Sequence, residues 1–425
     1  MTSSTVRRVL AVGGTVAVAT VAHIWYGNRH HFFDLRIYWE AVRWWAGGHP
    51  LYDYSRPDVV QGSLGFTYPP FAALVLRPLA LLPFGAAAAV FTVASAGALV
   101  VSLYWLLSPV ADRHGQPRWF ALALALPMVS WLEPVRETLT FGQINLLLAV
   151  LVLADLLVAV PKGSRWAGIG IGLAAAIKLT PAIFIVYLLI TRRWRAGITA
   201  AAAALGATLL AAAVSWGDSW RFWTGALWDT QRVGHLDRVS NQSLLALLAR
   251  LSAPAQPNRA LWAVLVVAVA GYGLWRARRA ARTRRADPND RAQRDGDEVA
   301  ALTLTALVGS LASPVTWSHH LFWFVPALVV LVDVGFTRGA PRRRAYLALA
   351  AVIYVTVTYS VLALYDWKVV PRRLDHGVLG FLIDNWYVLL MVALLAVLPV
   401  RSGQPAVTAP APRPAPVRRE PRPVR

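Results

Sequence analysis

The sequence predicts an all-α protein that crosses a membrane many times, and three observations support this fold class. The 425-residue chain is 57% hydrophobic and only 15% charged, whereas a soluble protein has about 25% charged residues. Its mean hydropathy is +0.50. Apolar runs recur along the chain at lengths close to the roughly 17–25 residues that a helix needs to span a bilayer. We therefore expect a polytopic integral membrane protein.

Ten apolar runs are candidate membrane-spanning helices. They are residues 9–26, 85–107, 119–132, 144–160, 196–216, 260–275, 299–313, 321–336, 345–365 and 386–400. Arg7 and Arg8 precede the first run, which places the N-terminus in the cytosol by the positive-inside rule. With ten crossings, the C-terminus is expected in the cytosol as well.

Two further apolar stretches are interrupted and do not predict simple crossings. Residues 166–190 are broken by Lys178-Leu179-Thr180-Pro181, and basic residues lie on both flanks. If both flanks are cytosolic, this stretch enters the membrane and returns, with Lys178 at its tip. Residues 66–84 are broken by several prolines in a similar way. Non-helical backbone at membrane depth is tolerated where it lines a cavity or is buried in protein, so we expect both stretches to be re-entrant segments at a cavity.

The net charge of +21 raises the possibility of a nucleic-acid-binding protein. On the predicted topology, however, the basic residues concentrate in the cytosolic segments, which is a membrane-topology pattern. We therefore expect contact with membrane lipid and no nucleic-acid partner. The membrane domain is expected to comprise residues 1–400, with a basic cytosolic loop at 276–298. Residues 401–425, rich in Pro, Ala and Arg, predict a disordered cytosolic tail.

Polar clusters outside the basic segments fall on the predicted extracytoplasmic side. These clusters are residues 34–70, 133–145, 178–181, 240–243, 313–320 and 366–384. Ionisable residues at membrane depth are expensive and mark functional sites. A single cavity that is open to the outer leaflet explains their common side. Because lysine, arginine and histidine can donate to phosphate, we expect the cavity to bind an anionic ligand.

Short motifs in these clusters resemble those of a known enzyme family. The motifs are Asp34-Leu35-Arg36-Ile37-Tyr38, Phe66-Thr67-Tyr68-Pro69-Pro70, Gly142-Gln143 with Asn145, Lys178 with Pro181, Asn241-Gln242-Ser243, and Ser313-Pro314 with Trp317, His319 and His320. Their order and common side resemble the actinobacterial polyprenol-phosphate-mannose-dependent α-1,2-mannosyltransferases, which are integral-membrane glycosyltransferases of the GT-C fold in family GT87. The resemblance extends from about Phe33 to Trp386.

The resemblance implies what the enzyme uses and where it works. The implied donor is polyprenyl-phosphate mannose, with no cofactor. The implied acceptor is a mannosylated glycolipid, either a phosphatidylinositol mannoside or lipomannan and lipoarabinomannan. The implied location is the plasma membrane, with the active site on its extracytoplasmic side. The resemblance leaves open an arabinofuranosyl or glucosyl transferase that uses another polyprenyl phosphate sugar.

The same polar residues in a membrane protein are also consistent with a lipid flippase or transporter. Many transporters contain internal repeats that alternate access between the two sides. This chain shows no such repeat, and its polar clusters lie on one predicted side. An enzyme is therefore the preferred interpretation.

Formation of an α-mannoside from a β-linked donor inverts the anomeric centre, and a single displacement achieves this. The reaction needs a general base on the acceptor hydroxyl and stabilisation of the departing phosphate. Asp34 resembles the first-loop aspartate that GT-C enzymes use as base. Asp34 also suits the N-cap of a helix over residues 35–45, which is a purely structural role. Asp53 and Asp58 are the alternative carboxylates.

Other candidates fall into the same clusters. Lys178 is the predicted partner of the donor phosphate; alternatively, its side chain extends towards water. Arg136 either shares that role or pairs with a neighbouring glutamate. His319 and His320 either orient Asp34, bind phosphate or hydrogen-bond to backbone; they lack an accompanying ligand motif, so no metal site is predicted. The remaining predicted substrate-binding residues are Tyr68, Asn145, Asn241 and Gln242. The three amides suit either sugar hydroxyls or hydrogen bonds within the cavity.

Overall fold

The structure, a computed structural model, describes residues 3–27, 29–58, 62–286, 291–364 and 377–400. Within these ranges the α-helices are α1 (Ser3–Tyr26), α2 (Phe33–Ala46), α3 (Pro70–Ala80), α4 (Phe84–Arg113), α5 (Arg118–Ser130), α6 (Glu133–Phe141), α7 (Asn145–Leu153), α8 (Ile169–Ile177), α9 (Ile183–Ile190), α10 (Trp194–Val214), α11 (Trp216–Arg221), α12 (Leu244–Ser252), α13 (Arg259–Ala286), α14 (Arg291–Ala312), α15 (Phe324–Phe336), α16 (Arg343–Thr358), α17 (Gly377–Asp384) and α18 (Trp386–Val397). Strands β1 (Arg56–Asp58) and β2 (Gly62–Leu64) form a short antiparallel pair between α2 and α3. The predicted helical class is confirmed.

Each of the ten predicted spans overlaps a helix, but the number of crossings stays a prediction. In the described ranges, α1, α4, α10 and the first 24 residues of α13 are long and apolar enough to cross a membrane, and two bent pairs raise the number to six. These pairs are α6 with the segment that continues α7 to Ala159, bent by 120°, and α17 with α18, bent by 73°. Helices α5 and α15, with 13 residues each, are shorter than a full crossing needs.

The predicted loop at residues 276–298 is mostly helical. Helix α13 continues to Ala286, and α14 begins at Arg291. Alanine and arginine are strong helix formers, and Ala277, Ala280 and Ala281 are buried. Packing between the two helices therefore extends into the basic segment. The predicted tail at residues 401–425 and most of the polar cluster at 366–384 lie outside the described residues.

The interrupted stretch at 166–190 folds back on itself at Lys178, and its re-entry into the membrane stays a prediction. Gly168, which precedes α8, lies against Ala196 of α10, only a few residues after α9 ends. Both ends of the α8–α9 pair are thus adjacent, while Lys178 lies at the opposite end, between the two helices. Asp155 stabilises the start of α8 by accepting from the backbone N–H groups of Gly168 at 2.9 Å and Ile171 at 2.7 Å.

The second interrupted stretch, residues 66–84, contains one helix instead of a broken pair. Pro69 precedes α3, and Pro83 precedes α4, so prolines mark the boundaries. Helix α3 packs along α2, where Arg43 donates to the carbonyl oxygen of Ala80 at 3.3 Å. This arrangement places the residues just before α3 beside the first turns of α2.

A tight turn joins α6 to α7 beside α2. Gly142 ends α6 with a φ of +70°, in the left-handed region that favours glycine. A Cβ atom at this position would lie 2.5 Å from the Cβ of Leu35. The glycine therefore allows the turn to approach α2 closely enough for Gln143 to reach the side chain of Asp34.

Candidate active site

Asp34 lies in the first turn of α2, and its carboxylate is turned towards the α6–α7 turn. The helix begins at Phe33, and its N-cap residue is Phe32, without a side-chain capping bond. The predicted capping role of Asp34 is therefore not what the structure shows. Its Oδ2 atom accepts a hydrogen bond from Nε2 of Gln143 at 2.6 Å. This contact fixes the carboxylate at the end of a buried polar network.

The network continues from Gln143 to two tyrosines. Oε1 of Gln143 accepts from the hydroxyl of Tyr68 at 3.1 Å, and the Tyr68 and Tyr38 hydroxyls are 2.9 Å apart. The sequence motifs alone assign no role to Gln143 or Tyr38. The available signals were the position of Gln143 in the Gly142-Gln143 motif and the four-residue spacing from Asp34 to Tyr38, which places both on one helix face.

Lys178 lies at the other end of this network. It follows α8 in an extended conformation, with φ −147° and ψ 129°. Its Nζ atom is 3.4 Å from the Tyr68 hydroxyl, 3.0 Å from Oδ1 of Asn145 and 3.0 Å from Nε2 of His320. Lys178 is thus held inside the polar cluster and does not extend away from it. The structure brings together Asp34, Tyr68, Asn145, Lys178 and His320, and their catalytic and binding roles stay predictions.

The two histidines occupy a single turn of 3-10 helix, Ser318–His320. Nδ1 of His320 accepts from the backbone N–H of Trp317 at 3.2 Å. The carbonyl oxygen of His319 accepts from Thr138 at 3.0 Å and from Asn145 at 2.9 Å. Among the described residues, Nε2 of His319 is buried without a hydrogen-bond partner. Burial, reinforced by the nearby Lys178, lowers the pKa of both imidazoles well below their usual range.

The environment of Asp34 suits a general base. Burial raises the pKa of its carboxyl to about 6, although the Gln143 hydrogen bond and the Lys178 charge act in the opposite direction. A base is most efficient when its pKa lies near the operating pH. Asp34 is therefore ionised at neutral pH while keeping more basicity than an exposed aspartate.

The rival carboxylates lie between α2 and α3, Asp53 at the end of the 3-10 helix Leu51–Asp53 and Asp58 on β1. Asp53 forms an ion pair with Arg221 at 2.5 Å, and both side chains are about half exposed. Neither Asp53 nor Asp58 shares the hydrogen-bonded chain that joins Asp34 to Lys178, which favours Asp34 as the base.

The side-chain amides of Asn241 and Gln242 form hydrogen bonds with backbone groups around the site. Oδ1 of Asn241 accepts from the backbone N–H of Thr316 at 2.9 Å, and its Nδ2 donates to a carbonyl oxygen. Gln242 accepts from the backbone N–H groups that begin α18, those of Tyr387 and Val388. Both side chains are fully buried. Because both amides are occupied by backbone groups, Asn241 holds the segment before His319 and Gln242 holds the start of α18, and neither presents its donors to a sugar.

Arg136 is also placed apart from Lys178. Its guanidinium donates to the carbonyl oxygens of Trp131 at 2.8 Å and Thr358 at 3.2 Å, and it lies over the rings of Tyr26 and Trp131. The neighbouring Glu137 accepts from Ser318 at 2.6 Å. These contacts tie α6 to surrounding elements, and they do not bring Arg136 into the cluster around Lys178.

A partly open cleft lies at Lys178. Its polar lining includes Asn145, Lys178 and His320, which contact one another, and Thr316. Its walls are largely apolar and include Leu148, Val152, Ile183, Phe184, Phe322 and Trp323. A lysine and an imidazole in a largely apolar cleft match an amphipathic anion with a hydrocarbon tail.

Comparison with known proteins gives the family. The model of glycosyltransferase family 87 matches residues 66–314. The chain belongs to glycosyltransferase family 87. This confirms the predicted family and the predicted enzyme class. No solved structure matches the chain significantly.

Similar proteins extend this family assignment over most of the chain. A polyprenol-phosphate-mannose-dependent alpha-(1-2)-phosphatidylinositol mannoside mannosyltransferase of Mycolicibacterium smegmatis is 35% identical over 363 residues, covering 82% of this chain and 78% of that protein. The protein of the same name from Mycobacterium tuberculosis is 34% identical, covering 81% and 80%. A phosphatidylinositol pentamannoside mannosyltransferase of M. smegmatis is 33% identical, covering 74% and 73%.

Proposed function

We propose that this family 87 enzyme transfers mannose from polyprenyl-phosphate mannose to a phosphatidylinositol mannoside and forms an α-1,2 linkage with inversion. The observation that carries the proposal is the hydrogen-bonded chain from Asp34 to Lys178 beside an apolar cleft. It supplies a base and a phosphate-binding cation from elements far apart in sequence. The names of the family relatives support the same donor and acceptor class.

The donor enters the cleft with its phosphate at Lys178. Lys178 and His320 donate to the phosphate oxygens, and the apolar walls receive the polyprenyl chain. A charged hydrogen bond is worth roughly 1.5–3 kcal/mol. Asn145 positions both partners, because its Oδ1 contacts Lys178 and its Nδ2 donates to the carbonyl oxygen of His319.

Transfer proceeds in one displacement. Asp34 accepts the proton of the acceptor hydroxyl as its oxygen attacks C1 of mannose from the face opposite the phosphate. The bond between C1 and the phosphate oxygen breaks, and its electron pair leaves with polyprenyl phosphate. Lys178 stabilises the second negative charge that forms on this leaving group. Attack from the opposite face converts the β-linked donor into an α-mannoside.

The reaction takes place on the extracytoplasmic side of the plasma membrane in this proposal, with both termini in the cytosol. The distribution of basic residues supports that orientation. Lys178 lies at the turn of α8 and α9, and exposed basic residues lie at the opposite ends of both helices, including Arg165 and Arg192. The site therefore lies at the end of the fold opposite to this basic surface.

A transfer assay with radiolabelled polyprenyl-phosphate mannose tests the proposal. Membranes containing the enzyme are given phosphatidylinositol mannosides or lipomannan, and the products are separated by lipid chromatography. The expected result is a new mannosylated phosphatidylinositol mannoside that α-1,2-mannosidase digests. A mannose nucleotide serves as the control donor and should give no product in washed membranes without polyprenyl phosphate. Redistribution of the labelled lipid without a new glycosidic bond would instead identify a flippase. Labelling of the acceptor only by another polyprenyl phosphate sugar would show that the enzyme uses a different donor.

A further inference from the structure

The hydrogen-bond directions around His320 determine where its proton lies. Its Nδ1 is 3.2 Å from the backbone nitrogen of Trp317, which can only donate. Nδ1 is therefore an unprotonated acceptor, and the single proton of the neutral imidazole lies on Nε2. Burial lowers the pKa of His320 well below its usual range, which agrees with a neutral ring.

This proton faces the amino group of Lys178. Nε2 of His320 and Nζ of Lys178 are 3.0 Å apart. An ammonium group has three donors and no acceptor, so it cannot receive the hydrogen bond from Nε2–H. A neutral amine has one lone pair and can receive it. The contact is therefore satisfied when Lys178 is uncharged.

The other two contacts of Lys178 fit the two N–H bonds of a neutral amine. Asn145 donates through Nδ2 to the carbonyl oxygen of His319, so its Oδ1 faces Nζ as an acceptor at 3.0 Å. The hydroxyl of Tyr68 donates to Oε1 of Gln143 at 3.1 Å and accepts from Nζ at 3.4 Å. The one lone pair and two N–H bonds of a neutral Lys178 amine thus match its three hydrogen-bond partners, His320, Asn145 and Tyr68.

Among the described residues, no anionic group contacts the amino group of Lys178. On α2, Asp34 acts on Lys178 at a distance, since Gln143 and Tyr68 lie between them. The remaining groups facing it are the phenol of Tyr68 and the neutral imidazoles of His319 and His320. Each of the three polar contacts of Nζ in the described residues is with an uncharged group.

We infer that Lys178 is an uncharged amine in the empty site and takes up one proton from solvent when the donor phosphodiester binds. This inference rests on the proposed function, because it assumes an anionic donor at Lys178. A phosphate oxygen replaces the lone pair of Nζ as the acceptor of His320 Nε2–H, and the freed lone pair receives the proton. The bound phosphate then has an imidazole N–H and an ammonium as donors. Without its ligand, the cleft holds no uncompensated cation.

Proton uptake is measured by titration calorimetry of the purified enzyme in detergent. Binding of polyprenyl-phosphate mannose, without acceptor, is measured at mildly alkaline pH in buffers with different ionisation enthalpies. A phosphodiester lacks the second ionisation near pH 6 of a phosphate monoester, so the ligand itself exchanges no proton. We expect an uptake of about one proton per donor and an affinity that weakens about tenfold per pH unit as pH rises.

Three variants identify the group that takes up the proton. Lys178→Arg carries a permanent charge, so its binding enthalpy should not depend on the buffer. Asp34→Asn should retain the proton uptake, because the proton binds to Lys178 and not to the carboxyl of Asp34. His49→Asn, which changes an exposed ring stacked on Trp44, is the matched histidine control and should also retain it.

Two results would overturn the inference. One is a wild-type binding enthalpy that is independent of the buffer, and the other is an uptake that persists in Lys178→Arg. The wild-type measurement alone decides the matter if Lys178→Arg does not fold. Normal mannosyl transfer with no proton uptake would refute only the neutral lysine. Failure of the wild-type enzyme to bind this donor at all would refute the proposed function together with the inference.

Discussion

At the scale of single residues, the pKa of Asp34 predicts the pH dependence of transfer. In the proposed mechanism the active form is the ionised carboxylate, whose pKa burial raises to about 6. Lowering the pH through about 6 protonates the base, so kcat/KM should fall about tenfold per pH unit below that value. The donor phosphodiester does not titrate in this range. A rate profile that stays flat well below pH 6 would remove Asp34 from this role.

A second residue-scale prediction concerns Lys178. In Lys178→Ala the bound phosphate loses its charged donor, a contact worth roughly 1.5–3 kcal/mol. The apparent donor affinity should therefore weaken about tenfold to about a hundredfold, as measured by the dependence of initial rate on donor concentration. Lys162→Ala, which removes an exposed lysine elsewhere, is the control. An unchanged donor KM with normal turnover in Lys178→Ala would place the phosphate elsewhere.

At the scale of elements, the turn between α6 and α7 should control the position of Gln143. Gly142→Ala combines a φ of +70° with a Cβ atom 2.5 Å from that of Leu35. The conformation alone costs about 1–2 kcal/mol, and the close contact adds to it by moving the turn away from α2. We expect a lower Tm and a larger loss of turnover than stability alone explains, because Gln143 no longer reaches Asp34.

Gly115 provides the matched control for this variant. Its φ is +61°, and a Cβ atom there would meet nothing within 4 Å. Gly115→Ala therefore introduces the same conformational strain without the close contact, and it should keep its turnover. If Gly142→Ala, measured as folded protein, were as active as Gly115→Ala, the turn would not position the catalytic carboxylate.

The sequence predicts the elements better than it predicts their polar contacts. Hydropathy and proline positions are local properties, and they place the helices and the turn at Lys178. The network through Gln143, Tyr68 and Tyr38 depends on how three separate segments pack, which no local pattern contains. For the same reason, the sequence could not show that the amide of Gln242 is occupied by backbone N–H groups. The many charged residues at 276–298 predict a loop, but buried alanines in this segment pack as part of helix α13.

At the scale of the whole molecule, the proposed topology predicts which surfaces are reached from outside the cell. The chain has no cysteine, so single cysteines are specific probes. Ser63 on β2 and Gln116 after α4 are both exposed. In intact cells, an impermeant maleimide should label Ser63→Cys, whereas Gln116→Cys should react only after the membrane is opened. The reverse pattern would place the site on the cytosolic side.

The proposed mechanism of the whole molecule requires Asp34 to act as the base in mannosyl transfer. The variant Asp34→Asn keeps the size of the side chain and removes its basicity, so it separates chemistry from packing. The decisive measurement is its turnover in the radiolabelled transfer assay, together with the Tm of the purified protein. We predict a loss of about 10²–10⁴-fold in turnover, the usual contribution of general-base catalysis, with a Tm near that of the wild type. A folded Asp34→Asn enzyme that retained most of its mannosyl transfer would contradict the mechanism.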